Sequence, residues 1–212
     1  FTNNPSQSQL YSYFADDTDA VWNDAGSLWA FASDNAAMNT YEAFVPGSGA
    51  SVSGHFIEVP RLIATGRKAD GTEVMAADVG FPLPPNDGTW QRDPNGVGID
   101  GPQWVLDYWS RTNGAFGFVR VEDIAYDRRP GMSNVVYIAD SGRGTAGVSQ
   151  PGRSTNGRIW KMMLDPDDPR EVTSLSIFIE GDDSPVKTLG EVHQPDNLET
   201  TPRSLLITED PG

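Results

Sequence analysis

The sequence predicts an all-β fold, a stretch of β-propeller carrying long loops. Three observations point there. Gly (22) and Pro (16) are frequent and Trp (6) is plentiful, a mix that suits many short strands joined by turns. A two-strand signature occurs twice: Tyr13-Phe14-Ala15-Asp16 followed by Gly26-Ser-Leu-Trp29-Ala-Phe31, and Tyr137-Ile138-Ala139-Asp140 followed by Gly157-Arg-Ile-Trp160-Lys-Met162. The glycines of the two copies are 131 positions apart, and a third partial copy, Leu205-Leu-Ile-Thr-Glu209-Asp210, ends 70 positions after Asp140. Spacings near 70 and twice 70 suit successive blades with long loops.

Taken in order, Leu10 to Ala15 is aromatic and β-prone, and Gly26 to Phe31 reads as a second strand. Residues 34–42 suit a short helix. Residues 55–66 and 72–78 read as two strands joined by a turn at Asp70-Gly71. Phe81 to Pro102, with five Pro and four Gly in 22 residues, reads as loop. Gln103 to Arg111 has mixed periodicity and suits a short helix or a strand. The central stretch, Phe118 to Gly142, reads as strand, turn and strand. The turn holds Pro130-Gly131, and the second strand, Val135 to Ala139, stops on Asp140. Arg143 to Asn156 reads as a Gly/Ser/Thr loop, Gly157 to Leu164 and Val172 to Ile179 as strands, and 180–193 as a charged loop. Ser204 to Glu209 closes the chain. If the repeats are blades, residues 1–212 are a single propeller segment that begins and ends within blades.

The charge balance narrows the partners. Thirty acids face 15 bases, a net charge of −15, which repels nucleic acid and anionic lipid. No apolar run approaches the length of a membrane span. With no cysteine, disulfides, thiolate zinc and cysteine nucleophiles are excluded within this chain. No Gly-x-Ser-x-Gly elbow occurs, so serine hydrolase chemistry has no support.

The acids fall in a pattern. Glu122-Asp123 and Asp196-Asn197 each precede an apolar residue, a turn and a strand, while Asp140 and Glu209-Asp210 end such strands. In a propeller, equivalent strand ends meet at one rim of the central channel. Carboxylates crowded there need a cation among them, and hard oxygen ligands suit Ca²⁺, Mg²⁺ or an oxidised iron. Arg120 stands two positions before Glu122, so on a strand the two share a face. A guanidinium there can take a phosphate oxygen pair bidentately, or can simply pair with Glu122. Gly142-x-Gly144-x-x-Gly147 has no helix after it and reads as loop rather than as a dinucleotide site. Asp165 to Pro169 reads as a turn. Neither His55 nor His193 has a partner at ligand spacing, and Trp29 and Trp160 read as core.

Phe118-x-Arg120-x-Glu122-Asp123, Val136-Tyr137-Ile-Ala-Asp140-Ser-Gly142, Gly157-Arg-Ile-Trp160, Pro195-Asp196-Asn197-Leu198 and Leu206-Ile-Thr-Glu209-Asp210, in this order, resemble the PhoX-type alkaline phosphatases, a family of bacterial propellers. The resemblance covers residues 118–210 well and the first half weakly. It implies a six-bladed propeller, secreted to the periplasm or beyond, that hydrolyses phosphate monoesters with calcium and iron (Ca²⁺, Fe³⁺) at its centre. Carried over by position, it implies Glu122, Asp196 and Glu209 as metal ligands, Arg120 as phosphate ligand, and Asp123, Asp140, Asn197 and Asp210 as supporting residues around the metals. Arg120 and Glu122 are the expected catalytic residues. Two positions depart from the family: Val121 stands where it has Pro, and its iron-binding cysteine has no counterpart here. An alternative of another class is a non-catalytic, calcium-stabilised propeller serving as an extracellular assembly subunit.

Overall fold

The structure is a computed structural model that describes residues 7–142, 156–181 and 192–209. Contacts divide the chain into two compact units, Phe1–Ala32 with Phe56–Phe116, and Ser33–His55 with Gly117–Gly212.

In the first unit, β1 (Tyr11–Phe14) and β2 (Ser27–Ser33) pair antiparallel, with Phe14 opposite Ser27. The connection holds a five-residue helix, α1 (Thr18–Trp22), whose first turn is capped by the Asp17 carboxylate accepting from the Ala20 N–H at 2.8 Å. Two further helices follow, α2 (Arg61–Thr65) and α3 (Pro102–Thr112). The ambiguous stretch 103–111 is therefore helical. Its start fits helix chemistry, with Pro102 in the first turn where a missing N–H costs nothing. Ala30, Val59, Ile63, Val74, Val105, Trp109 and Ala115 form this unit's main core. Gly66 ends α2 in the left-handed region, at φ 61°, and an added Cβ would lie 2.6 Å from Pro102 Cβ. Glycine is needed there on both counts.

Two expectations are corrected here. Of the strand expected over 55–66, only 55–58 is strand: β3 is Ser51–Glu58, and Pro60 leads into α2. The alternation that marks β3 lies earlier, with Val52, Gly54 and Phe56 buried between more exposed neighbours. Residues 72–78 are not a strand either. A single Arg67–Glu73 bridge brackets the expected Asp70-Gly71 turn, and Ala76–Val79 is a 3₁₀ turn. In the second unit, the helix expected over 34–42 is two 3₁₀ turns, Ala36–Met38 and Tyr41–Ala43.

In the second unit, the Ser51–His55 part of β3 pairs with β7 (Glu171–Glu180). Beyond β7 come β6 (Arg158–Leu164), β5 (Val135–Asp140) and β4 (Val121–Tyr126), every neighbour antiparallel. All six residues of β5 are buried, as a central strand requires. Trp160, fully buried, meets the rings of Tyr41, Phe44 and Phe118 edge-on at 5.0–5.6 Å. Beside it the Arg158 guanidinium lies 3.5 Å from the Tyr41 ring centre, donates to the Tyr41 carbonyl at 3.0 Å and pairs with Glu180 at 2.9 Å. A buried charge demands such partners. A separate hairpin, β8 (Pro195–Thr200) and β9 (Leu205–Glu209), sets Leu198, Leu205 and Ile207 against Ala125, Val135 and Ala139. Among the described residues, the regular secondary structure is thus mainly antiparallel strand. Among the described residues, no helix is long and apolar enough to cross a membrane. Most of the loop expected over 143–156 and most of that over 180–193 lie outside the described residues.

Candidate functional site

The site is built on the start of β4. Val121 faces Asp140 across the ladder and Asp123 faces Ala139, so β4 carries one extra residue between them, Glu122. Such a bulge turns a side chain out of the regular alternation. Here Glu122 Oε1 pairs with Arg120 Nε and accepts from the Ser141 hydroxyl at 3.1 Å. Arg120, Glu122 and Ser141 therefore form one cluster, with Arg120 and Glu122 partly exposed and Ser141 buried behind them, and Glu122 fixes the plane of the guanidinium.

Asp140 has a different task. It is fully buried, and its two oxygens accept from the N–H groups of Val119 (3.0 Å), Arg120 (2.7 Å) and Gly142 (3.4 Å) and from Trp160 Nε1 (3.4 Å). Burial pushes its carboxyl pKa up, while those N–H groups pull it down. Asp140 is a positioning carboxylate that ties the chain before β4 to the end of β5.

Asp123 reaches across to β8 and accepts from the Leu198 N–H at 2.7 Å. Further along, the Thr200 hydroxyl donates to the Tyr126 carbonyl. These two contacts run β4 and β8 in the same direction, so Glu122 and Asp196 lie at corresponding ends. β8 is also irregular there, its register shifting between Pro195 and Leu198. Asp196 accepts from its neighbour Asn197 Nδ2 at 2.7 Å. Glu209, on the strand facing Pro195, accepts from the His193 N–H at 2.8 Å. Asp210 lies outside the described residues.

The structure thus brings Arg120, Glu122 and Ser141 into contact, sets Asp196 and Glu209 together on the neighbouring hairpin, and links the two through Asp123. The candidate carboxylates Glu122, Asp123, Asp140, Asp196 and Glu209 each accept from an internal donor. Among the described residues, no three His, Cys, Asp or Glu side chains gather as a metal ion requires. Ser141 was missed by the sequence reading; its signal was its place directly after the strand-ending Asp140. Also missed was a cavity of about 890 Å³ in the first unit, lined by apolar residues such as Phe14, Leu28 and Val59 and by charged Asp24, Arg61 and Arg67. Its charges are mixed, and Arg61 is paired with Asp24 at 3.1 Å.

No protein-family profile matches the chain, and no curated protein matches it. Among solved structures, its fold is similar to that of Pseudomonas fluorescens PhoX in complex with vanadate, a transition-state analogue. The TM-score is 0.54 and the identity 16%, over 98% of this chain and 35% of that one. The chain spans about a third of the length of the structure it matches, and what the two share is the fold.

Proposed function

We propose that this chain is part of a β-propeller phosphatase of the PhoX type that acts on phosphate monoesters, with Arg120 binding the phosphate. The observation that carries the reading is the fold likeness, over 98% of the chain, to a protein solved with vanadate. The local chemistry agrees with it. Glu122 grips Arg120 at Nε and so presets the guanidinium fork for an oxyanion. The Ser141 hydroxyl, buried and donating to Glu122, holds that carboxylate in place behind Arg120. Six blades, and export to the periplasm or outside the cell, belong to the same reading.

Calcium and iron held by Glu122, Asp196 and Glu209 are a separate part of the proposal. The described residues do not assemble a site for either ion, so no catalytic step is assigned to a metal.

The test is hydrolysis of 4-nitrophenyl phosphate by the full-length protein, with metal content measured in the same preparation. Arg120→Gln is expected to lower kcat/KM about 100-fold, the size of effect found when one charge-stabilising donor is removed. Absence of turnover in the wild type, or unchanged turnover in Arg120→Gln, rejects the reading. One observation favours the alternative of a non-catalytic assembly subunit: Glu122, Asp123, Asp196 and Glu209 all serve internal hydrogen bonds. That alternative predicts oligomers that persist in a chelator and no affinity for phosphate esters.

A further inference from the structure

The β4–β5 hairpin has a second polar end. At its turn, roughly 20 Å along the strands from Arg120, lies a cavity of about 190 Å³ lined by Asp127, Arg129, Tyr137, Phe178, Thr200, Thr201, Arg203, Ser204 and Leu205. Its walls carry two guanidiniums and one carboxylate, in a chain where acids outnumber bases 30 to 15.

The carboxylate is spent. Asp127 accepts from the Arg129 N–H at 2.9 Å, from Arg129 Nε at 3.0 and 3.1 Å, and from the Tyr137 hydroxyl at 3.1 Å. Its pKa is held down at about 2, chiefly by Arg129, so it stays ionised and orients that side chain. The donors are not spent. Arg129 Nη1, the Arg203 guanidinium and the Ser204 hydroxyl bond to no described residue. Thr201 Oγ1 accepts from the N–H groups of Arg203 and Ser204, at 3.1 and 2.9 Å, which keeps its own proton for another acceptor. Phe178, its ring tilted at 49° against that of Tyr137 with centres 4.9 Å apart, and Leu205 supply an apolar edge.

A cavity rich in donors, with its one acceptor saturated, recognises an oxyanion. We propose that the pocket between the β4–β5 turn and the β8–β9 turn binds a small oxyanion, a carboxylate or a phosphate or sulfate group, through Arg129, Arg203 and Ser204. The volume holds about six waters' worth of ligand, so the occupant is a single anionic group on a short stem and not a nucleotide. The pocket is independent of the phosphatase reading, which rests on Arg120 at the far end of the hairpin.

The experiment is an amide NMR titration of the full-length protein with sodium acetate, sulfate and inorganic phosphate, at fixed ionic strength with chloride as control. Saturable shifts at Arg129 and Ser204 are expected. Arg203→Gln, at an exposed position whose loss leaves the fold intact, is expected to weaken binding at least tenfold, and Ser204→Ala about threefold. Arg120→Gln is expected to leave binding at this pocket unchanged even where it abolishes hydrolysis. Tighter acetate assigns a carboxylate, and tighter sulfate and phosphate assign a tetrahedral group. The proposal is overturned by shifts no different from those in chloride, by failure to saturate with all three anions, or by wild-type affinity in Arg203→Gln.

Discussion

The β1–β2 and β5–β6 hairpins share a sequence signature and reach opposite environments. In both, the glycine before the second strand is pressed against the last residue of the first. A Cβ on Gly26 would lie 2.3 Å from the Phe14 carbonyl oxygen, and one on Gly157 2.3 Å from that of Asp140. The repeated glycine thus has one steric cause in both places. The rest differs because the registers are two residues apart: Trp29 faces Ser12, whereas Trp160 faces Ile138, the counterpart of Phe14. Trp160 is then fully buried with its Nε1 on Asp140, while Trp29 is half-buried with its Nε1 on Ser27. Asp16 ends up exposed, with no hydrogen bond to any described residue, and Asp140 buried under four donors. One pattern therefore makes a surface hairpin in the first unit and, in the second, the anchor behind Arg120 and Glu122.

The largest test of that contrast is tryptophan truncation. Trp160→Ala is expected to cost about 3–5 kcal/mol, as buried aromatic deletions do, and Trp29→Ala about 1 kcal/mol for its smaller buried area. Equal losses in chemical denaturation would break the comparison. Next come the aspartates. Asp140→Ala strands buried N–H groups of Val119 and Arg120 and is expected to cost about 2–3 kcal/mol, while Asp16→Ala stays within about 0.5 kcal/mol of wild type. Both alanine substitutions at the glycines should destabilise, by about 1–3 kcal/mol. Gly157→Ala should do more harm, because Gly157 also sits at φ 75°. If Gly26→Ala is neutral by thermal denaturation, the shared steric cause is wrong.

The last expected effect is confined to acid. The folded pKa of Asp127, about 2, lies below its ordinary value of 3.8. The stability it contributes is therefore fully present above about pH 4 and is lost as pH falls toward 2. Asp127→Asn should remove that limb of the stability-versus-pH curve and leave the curve above pH 5 with the same slope.

Much of the β framework was legible in the sequence. β2, β5, β6 and β7 are apolar runs closed by Gly, Asp or Pro-Asp turns, and such runs fix strand ends to within a few residues. β3 was displaced because apolar residues recur on both sides of Pro60, at Ile57, Val59, Leu62 and Ile63, hiding the change from strand to helix. The site was legible only in part. A carboxylate at a strand end looks the same in sequence whether it serves backbone N–H groups, as Asp140 does, or a cation. The bulge at Glu122 depends on its register against β5, which no local pattern encodes. The spent carboxylate and open donors between the two turns come from Arg129 and Arg203, 74 positions apart, and are visible only once β8 lies beside β4.

The most direct test of the central claim, that the start of β4 binds a phosphate-like oxyanion, is calorimetric titration of orthovanadate into the full-length protein. Using Arg203→Gln as background silences the pocket at the turn end of the hairpin. The account predicts saturable binding at one site per chain, weakened at least tenfold by adding Arg120→Gln. No binding in the Arg203→Gln background, or the same affinity with and without Arg120, would contradict it.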